Sequence, residues 1–216
     1  MEQRVTYNMK RTFSQHLQEH SSLYTFTIVL LMMGIVFGAV IVNSLSLMQK
    51  EDLFHYLNRF FGQVSDGEVA SASAMFTQSF FHYIKYMGLI WLLGLSIIGV
   101  PVILVLLFLK GMVVGFTVGF LVNQMGWQGF LLSFVSVMPQ NLILIPAFVL
   151  VTTAAVAISL TLIKAQFSNR IKTPLMPLLL RYTATVIIIM VLGASASFIE
   201  AFLSPTLIKA TIGIFN

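Results

Sequence analysis

The sequence predicts an all-α multi-pass membrane protein with about five transmembrane helices, an extracytoplasmic amphipathic helical segment and a re-entrant or interfacial helix before Pro139. Hydrophobic residues make up 58% of the 216 residues and charged residues only 9%, whereas a soluble domain carries about 25% charge. The apolar residues also gather in segments that reach the roughly 20 residues needed to cross a bilayer. This composition and this grouping together predict the fold class.

The first 22 residues are interpreted as a cytoplasmic N-terminal segment. They are too polar and too long for the start of a signal peptide, and no small-residue cleavage site follows them. Residues 23–43 are therefore predicted to be a retained first span, and residues 23–203 a single membrane domain. The chain has no cysteine, which excludes disulfides and thiol chemistry.

Residues 44–81 are predicted to form a helical loop outside the membrane. Its first half places apolar residues at helical spacing and ends at the turn Ser65-Asp66-Gly67. These apolar residues, the candidates for partner docking, are Leu53, Leu57, Phe60, Phe61 and Val64. Three interpretations stay open, namely a helix resting on the bilayer surface, a surface that docks an extracytoplasmic partner, and packing over the outer ends of the spans.

Four further spans follow from the remaining apolar segments. Pro101 is expected to kink the first of these spans. The predicted spans are residues 82–109, 111–125, 141–163 and 180–203.

A long uncharged region complicates this assignment. The 53 residues between Lys110 and Lys164 carry no charge, and two ordinary spans use only roughly 40 residues. The surplus is too apolar for an aqueous loop. We therefore predict a turn at Gly126 and a re-entrant or interfacial helix at residues 127–139.

The end of that helix contains an unusual polar group. A helix tends to end before Pro139, and the carboxamides of Gln140 and Asn141 could satisfy the backbone groups that the proline disrupts. A structural break, a lipid or partner groove and a translocation site are the alternatives. Because the predicted spans lack interior charge and a second matching break, the structural break is favoured over transport.

The distribution of Lys and Arg indicates the orientation, because these residues concentrate in cytoplasmic loops. Five spans place the N-terminus in the cytoplasm and the tail, residues 204–216, outside. The net charge of +5 is explained in this way and does not indicate nucleic-acid binding. The predicted cytoplasmic set is Arg4, Lys10, Arg11, Lys110, Lys164, Arg170, Lys172 and Arg181, and the outer set is Lys50, Arg59, Lys85 and Lys209.

Glycines every four residues indicate a close contact between two helices. Gly111, Gly115 and Gly119 share one helix face, and such a face lets another backbone approach closely. The second helix could belong to the same chain, where Gly34 and Gly38 offer a surface, or to another copy in a homo-oligomer.

No catalytic site is predicted. His16, Glu19 and His20 match the H-x-x-E-H pattern of some zinc proteases, but a third ligand is missing because the other acidic residues are placed across the membrane, and this metal site is rejected. Glu200, near the outer end of the last span, is expected to reach water or pair with Lys85 at the interface, or to contact a partner. No cofactor is expected.

Three segments resemble one known family. They are KEDLFHYLNRFFGQVSDG at 50–67, FLKGMVVGFTVGFLVNQMG at 108–126 and LSFVSVMPQN at 132–141, and they are similar to the stage II sporulation protein M family of endospore-forming Firmicutes. The resemblance implies a non-enzymatic scaffold in the septal or engulfing membrane of the mother cell. It implies stage II sporulation proteins D and P, which degrade peptidoglycan, as partners. A permease or channel-like subunit for a lipid or wall precursor is the alternative.

Overall fold

The computed structural model describes residues 21–66, 71–96, 98–167 and 175–215. The regular elements in these ranges are all helices, which confirms the predicted all-α class. In chain order they are α1 Ser21–Ser44, α2 Leu47–Asp66, α3 Ala72–Gly94, α4 Gly99–Ser136, α5 Met138–Phe167, α6 Leu175–Phe198, a π-helical turn Ile199–Leu203 and α7 Ser204–Phe215.

Four of these helical stretches are long and apolar enough to cross a membrane. They are Ser21–Ser44, Gly99–Ser136, Met138–Gln166 and Met176–Ile208. Helix α3 falls outside this set because its first half is rich in Ser, Thr, Gln and His. The protein is therefore membrane-embedded, and the role of α3 depends on how the other helices are directed.

Helices α1 and α4 run parallel in close contact. Gly111 lies against Leu31, Gly115 against Ile35 and Gly119 against Ala39. Residue numbers therefore increase in the same direction along both helices. Since both helices run in the same direction, the chain must return between them. Helix α3, 23 residues long, makes that return. It is the second of five helices that alternate in direction, which are α1, α3, α4, α5 and α6.

The directions of α5 and α6 follow from contacts with the start of the bundle. The Oγ of Ser159, late in α5, donates to the carbonyl of Ser96 at 2.6 Å. The Oη of Tyr182, early in α6, donates to the carbonyl of Trp91 at 3.1 Å. Thus α5 ends, and α6 begins, at the face where α1 starts, and we call this the N-terminal face.

The predicted boundary between the second and third spans is wrong. Helix α3 ends at Gly94, whereas α4 begins at Gly99 and continues through Lys110. The turn between them is uncharged, and it is tight because a side chain at Gly99 would collide with the carbonyl of Leu93. The prediction assigns Lys110 to the loop, but the loop lies before Gly99, where the sequence is apolar.

Pro101 does not kink the middle of a span, contrary to the prediction. It lies in the first turn of α4, which begins at Gly99. At this position its missing N–H would have no helical partner, so the proline is tolerated without a bend.

Gly126 is the non-helical residue inside α4, with φ 57° and ψ −128°. This left-handed conformation strains most side chains but not glycine. The helical segment 127–136 that follows folds back, since Gly129 lies against the carbonyl of Leu121. The turn therefore stands at the predicted residue, and only Val137 separates the folded-back segment from α5, whose first turn contains Pro139.

Three short helical segments gather at the end of the bundle opposite the N-terminal face. Helix α2, the segment 127–136 and helix α7 meet around a small core of Leu121, Leu132 and Ile208, with Leu57 packed against it. We call α2, 127–136 and α7 the end layer. The larger core lies inside the bundle and includes Met87, Ile90, Ile103, Phe148 and Val186.

Candidate functional site

Lys110 lies near the middle of the bundle. Its neighbour Gly111 contacts Leu31 of α1, which is roughly 15 Å from one end of α1 and roughly 20 Å from the other at 1.5 Å per residue. The prediction of a cytoplasmic loop position for Lys110 is therefore wrong. A charged residue at this depth is costly in a membrane and usually has a partner and a function.

Two aromatic rings surround the ammonium group of Lys110. Its Nζ lies 5.5 Å from the ring centre of Tyr83 on α3 and 5.1 Å from that of Phe148 on α5. Contacts of this kind contribute about 2 kcal/mol each when the cation is shielded from water. The carboxylate of Glu200 also attracts Lys110 electrostatically, without a direct ion pair between these two described side chains.

Glu200 reaches this interior position from the π-helical turn. Its Oε2 accepts a hydrogen bond from the Oη of Tyr83 at 2.6 Å, the length of a strong charge-assisted bond. A π-helical turn contains one extra residue per turn and recurs at functional sites. Tyr83 is buried, and Lys110 and Glu200 are half-buried; we call these three residues the buried cluster.

Lys85 does not belong to the buried cluster. Its side chain is exposed on α3, on a different face from buried Tyr83. The expected pairing partner of Glu200 was Lys85, whereas the hydrogen bond that the structure shows comes from Tyr83.

Neighbouring aromatic residues hold the cluster in place. The Oη of Tyr86 donates to the carbonyl of Leu106 at 2.6 Å, which ties α3 to α4. The ring of Tyr86 meets that of Phe148 edge to face, with 5.3 Å between the ring centres. The rings that contact Lys110 therefore have few alternative positions.

The polar residues after Pro139 are partly satisfied. The Nδ2 of Asn141 donates to the carbonyl of Val137 at 2.7 Å, so this carboxamide covers a carbonyl at the helix break. The Oδ1 of Asn141 and the Oε1 of Gln140 are buried and have no hydrogen-bond partner among the described residues. Buried acceptors without partners are rare in proteins, so this break is also a candidate binding position.

The predicted docking residues on α2 separate into different environments. Leu57 packs inward against the core of the end layer, which agrees with packing over the outer ends of the spans. Leu53 is at the border of exposure, with 36% of its surface accessible. The side chains of Phe60, Phe61 and Val64 lie outside the described residues. The strongly exposed apolar residues of α2 are instead Leu47, Met48 and Tyr56.

The rejected zinc pattern lies outside the described residues, since His16, Glu19 and His20 all precede Ser21. Within the described part of the chain, no group of three or more His, Cys, Asp or Glu residues is placed to hold a metal ion. The charged site that the structure does show is the buried cluster.

The family model for Stage II sporulation protein M matches residues 27–205. The chain belongs to the stage II sporulation protein M family. The match runs from α1 into the start of α7, so it includes the buried cluster and most of the end layer. No curated protein and no solved structure matches the chain.

Sequence reasoning missed the buried cluster of this family member. Tyr83 and Glu200 are 117 residues apart, and no local pattern connects them. One signal was present: Lys110 interrupts an otherwise apolar stretch without any Gly, Pro or Asn turn beside it on the N-terminal side. A lysine in that context is as compatible with a buried charge as with a loop.

Proposed function

We propose that this sporulation-related membrane protein is a non-enzymatic scaffold that anchors peptidoglycan-degrading enzymes at the septal or engulfing membrane of the mother cell. Stage II sporulation proteins D and P are the proposed partners, as the family resemblance implies. The proposal rests on the end layer, because α2, 127–136 and α7 pack together into one surface at one end of the bundle.

The charge distribution supports an extracytoplasmic end layer. Lys164 and Arg181 flank the α5–α6 connection at the N-terminal face, next to Arg170 and Lys172 in sequence. Lys110 no longer counts toward the cytoplasmic set. Of the other seven predicted cytoplasmic residues, Lys164 and Arg181 lie at that face, and the remaining five lie outside the described residues. By the positive-inside rule, the N-terminal face is cytoplasmic and the end layer faces the cell wall.

The exposed side of α2 is the proposed docking face. Tyr56 is 72% exposed and Met48 74% exposed, and the charged residues Asp52 and Arg59 are exposed with them. Tyr, Met and Arg are enriched in protein interfaces, and buried Tyr and Arg often carry most of the binding energy. Leu57, on the opposite side, is needed for packing.

Co-purification of proteins D and P from sporulating cells tests this face. We expect Met48→Ala with Tyr56→Ala to lower the recovered partners about tenfold, the effect of losing about 1.4 kcal/mol of binding. Met33→Ala is a matched control, since Met33 is an exposed methionine on α1. Unchanged recovery from the double variant, at normal membrane levels, would contradict docking through α2.

A permease or channel-like subunit for a lipid or wall precursor is the second candidate. It is favoured by the unpartnered oxygens of Gln140 and Asn141 and by the mid-bundle charge of Lys110, which the sequence had not predicted. Purified protein in vesicles should then transport a labelled precursor, and Gln140→Ala with Asn141→Ala should lower the flux. Absence of flux from the unmodified protein argues against transport.

A further inference from the structure

We propose that the buried cluster is a positioning element for the end layer: Tyr83 and Lys110 hold Glu200, and through it they set the orientation of α7 and α2. The biological meaning of this inference rests on the proposed scaffold function, because the end layer carries the proposed docking face. The geometric part can be tested without any partner.

Continuous helical backbone joins Glu200 to α7. Glu200 lies in the π-helical turn Ile199–Leu203, and α7 begins at the next residue, Ser204. The backbone N–H of Ser204 bonds to the carbonyl of Ile199, so no flexible loop separates the turn from α7. A change in the position of the Glu200 side chain must therefore be absorbed by the direction of α7.

Helix α7 packs against the rest of the end layer. Ile208 of α7 is buried against Leu121 and Leu132, and Leu57 of α2 packs on the same core. In the described part of the chain, α7 is a main helical neighbour of α2. The orientation of α2 thus depends on the place that α7 occupies.

A charged side chain at position 200 restricts the register of the π-helical turn. A carboxylate turns toward the interior of a membrane bundle only where it finds a cation and a hydrogen-bond donor. Tyr83 supplies the donor at 2.6 Å. Lys110 supplies the nearby cation, since its Nζ lies 5.5 Å from the ring centre of the same Tyr83. This requirement selects one register of the turn, whereas apolar packing alone would tolerate neighbouring registers. Buried polar groups that select a register are a known use of such pairs.

Cross-linking in the naturally cysteine-free chain provides the test. The reporting pair is Leu57→Cys with Ile208→Cys, which lie in the core of the end layer. The reference pair is Asn43→Cys with Asn123→Cys, on α1 and α4, where the side chains are 3.4 Å apart. The reference pair also lies toward the end-layer side of the bundle but does not involve α2 or α7.

Two conservative variants, Glu200→Gln and Tyr83→Phe, are introduced into each pair. We expect the cross-linking rate of the reporting pair to fall about tenfold, equivalent to about 1.4 kcal/mol, while the reference pair keeps its rate.

Two outcomes overturn the proposal. If the reporting pair is unchanged in both variants, the buried cluster does not position the end layer. If both pairs lose cross-linking equally, the cluster holds the whole bundle and has no selective effect on α7. Partner recovery is measured separately. If the reporting pair loses cross-linking as expected but the recovery of the partners is unchanged, the result counts against the scaffold proposal alone.

Discussion

At the residue scale, the sequence shows that Lys110 is charged but does not show where its side chain lies in the fold. Its ammonium group lies between the rings of Tyr83 and Phe148, and Glu200 compensates its charge from the far end of the chain. Lys110 is favoured at this depth by the two rings and by the charge of Glu200, so Lys110 and Glu200 interact without a direct contact. Their contributions to stability should therefore depend on each other.

Single and double substitutions measure this dependence. We expect Lys110→Ala to lower the free energy of unfolding by about 2 kcal/mol, because it removes the cation between the rings of Tyr83 and Phe148 and the charge that attracts Glu200. Adding Glu200→Ala should restore part of that loss. Equilibrium unfolding of the three variants in detergent gives the coupling energy, and simple additivity of the two single effects would contradict a coupled pair.

At the element scale, the glycine stripe is used inside the chain. Gly111, Gly115 and Gly119 all lie against the backbone of α1, so this face is not available to a second copy. The contacts identify α1 as the second helix of this close approach. Self-association through some other surface stays a prediction.

A pair of identical substitutions tests the α1–α4 contact. A methyl group at Gly115 would collide with the carbonyl of Ile35, whereas one at Gly88 meets nothing within 4 Å. We expect Gly115→Ala to destabilise the protein by about 1–3 kcal/mol through overpacking. Gly88→Ala should leave stability unchanged or raise it by about 0.5–1 kcal/mol, because alanine is the better helix former. Equal unfolding midpoints for the two variants would contradict the tight contact.

The segment 127–136 carries an aromatic strip that is suited to the membrane interface. Trp127 and Phe130 stack with 5.2 Å between their ring centres, and Phe134 follows one turn later. Trp127 is 69% exposed, and tryptophan favours the headgroup region of a bilayer. The interfacial or re-entrant position of this segment is thus a prediction that fluorescence can test.

Quenching by brominated lipids measures the depth of Trp127. The chain has two tryptophans, so Trp91→Phe leaves Trp127 as the only reporter. We expect the strongest quenching from bromines close to the headgroups. Strongest quenching from bromines near the ends of the lipid acyl chains would place the segment deep in the bilayer. Quenching by aqueous iodide alone would show that the segment does not enter the membrane.

At the scale of the whole molecule, five alternating helices place α2 and the end of α5 at opposite ends of the bundle. Gln63 of α2 and Gln166 of α5 are both exposed, and each can be replaced by a single cysteine. A membrane-impermeant maleimide should label Gln63→Cys in intact cells, whereas Gln166→Cys should need permeabilised cells. Labelling of both cysteines from the same side would contradict the five-helix topology.

The sequence by itself determined the membrane class, the first span, the amphipathic helix and the turn at Gly126. These features depend on composition, on spacing within one or two helical turns, or on one residue with unusual backbone freedom. A reader of the sequence needs no distant contact to find them.

Only the tertiary structure decided where α3 and α4 divide and what Lys110 does. A lysine in an apolar stretch has the same local pattern at a loop and in a compensated interior site. The difference comes from the arrival of Tyr83, Phe148 and Glu200 on three other elements. Those contacts join residues that are far apart in the chain, and the fold must form before they exist.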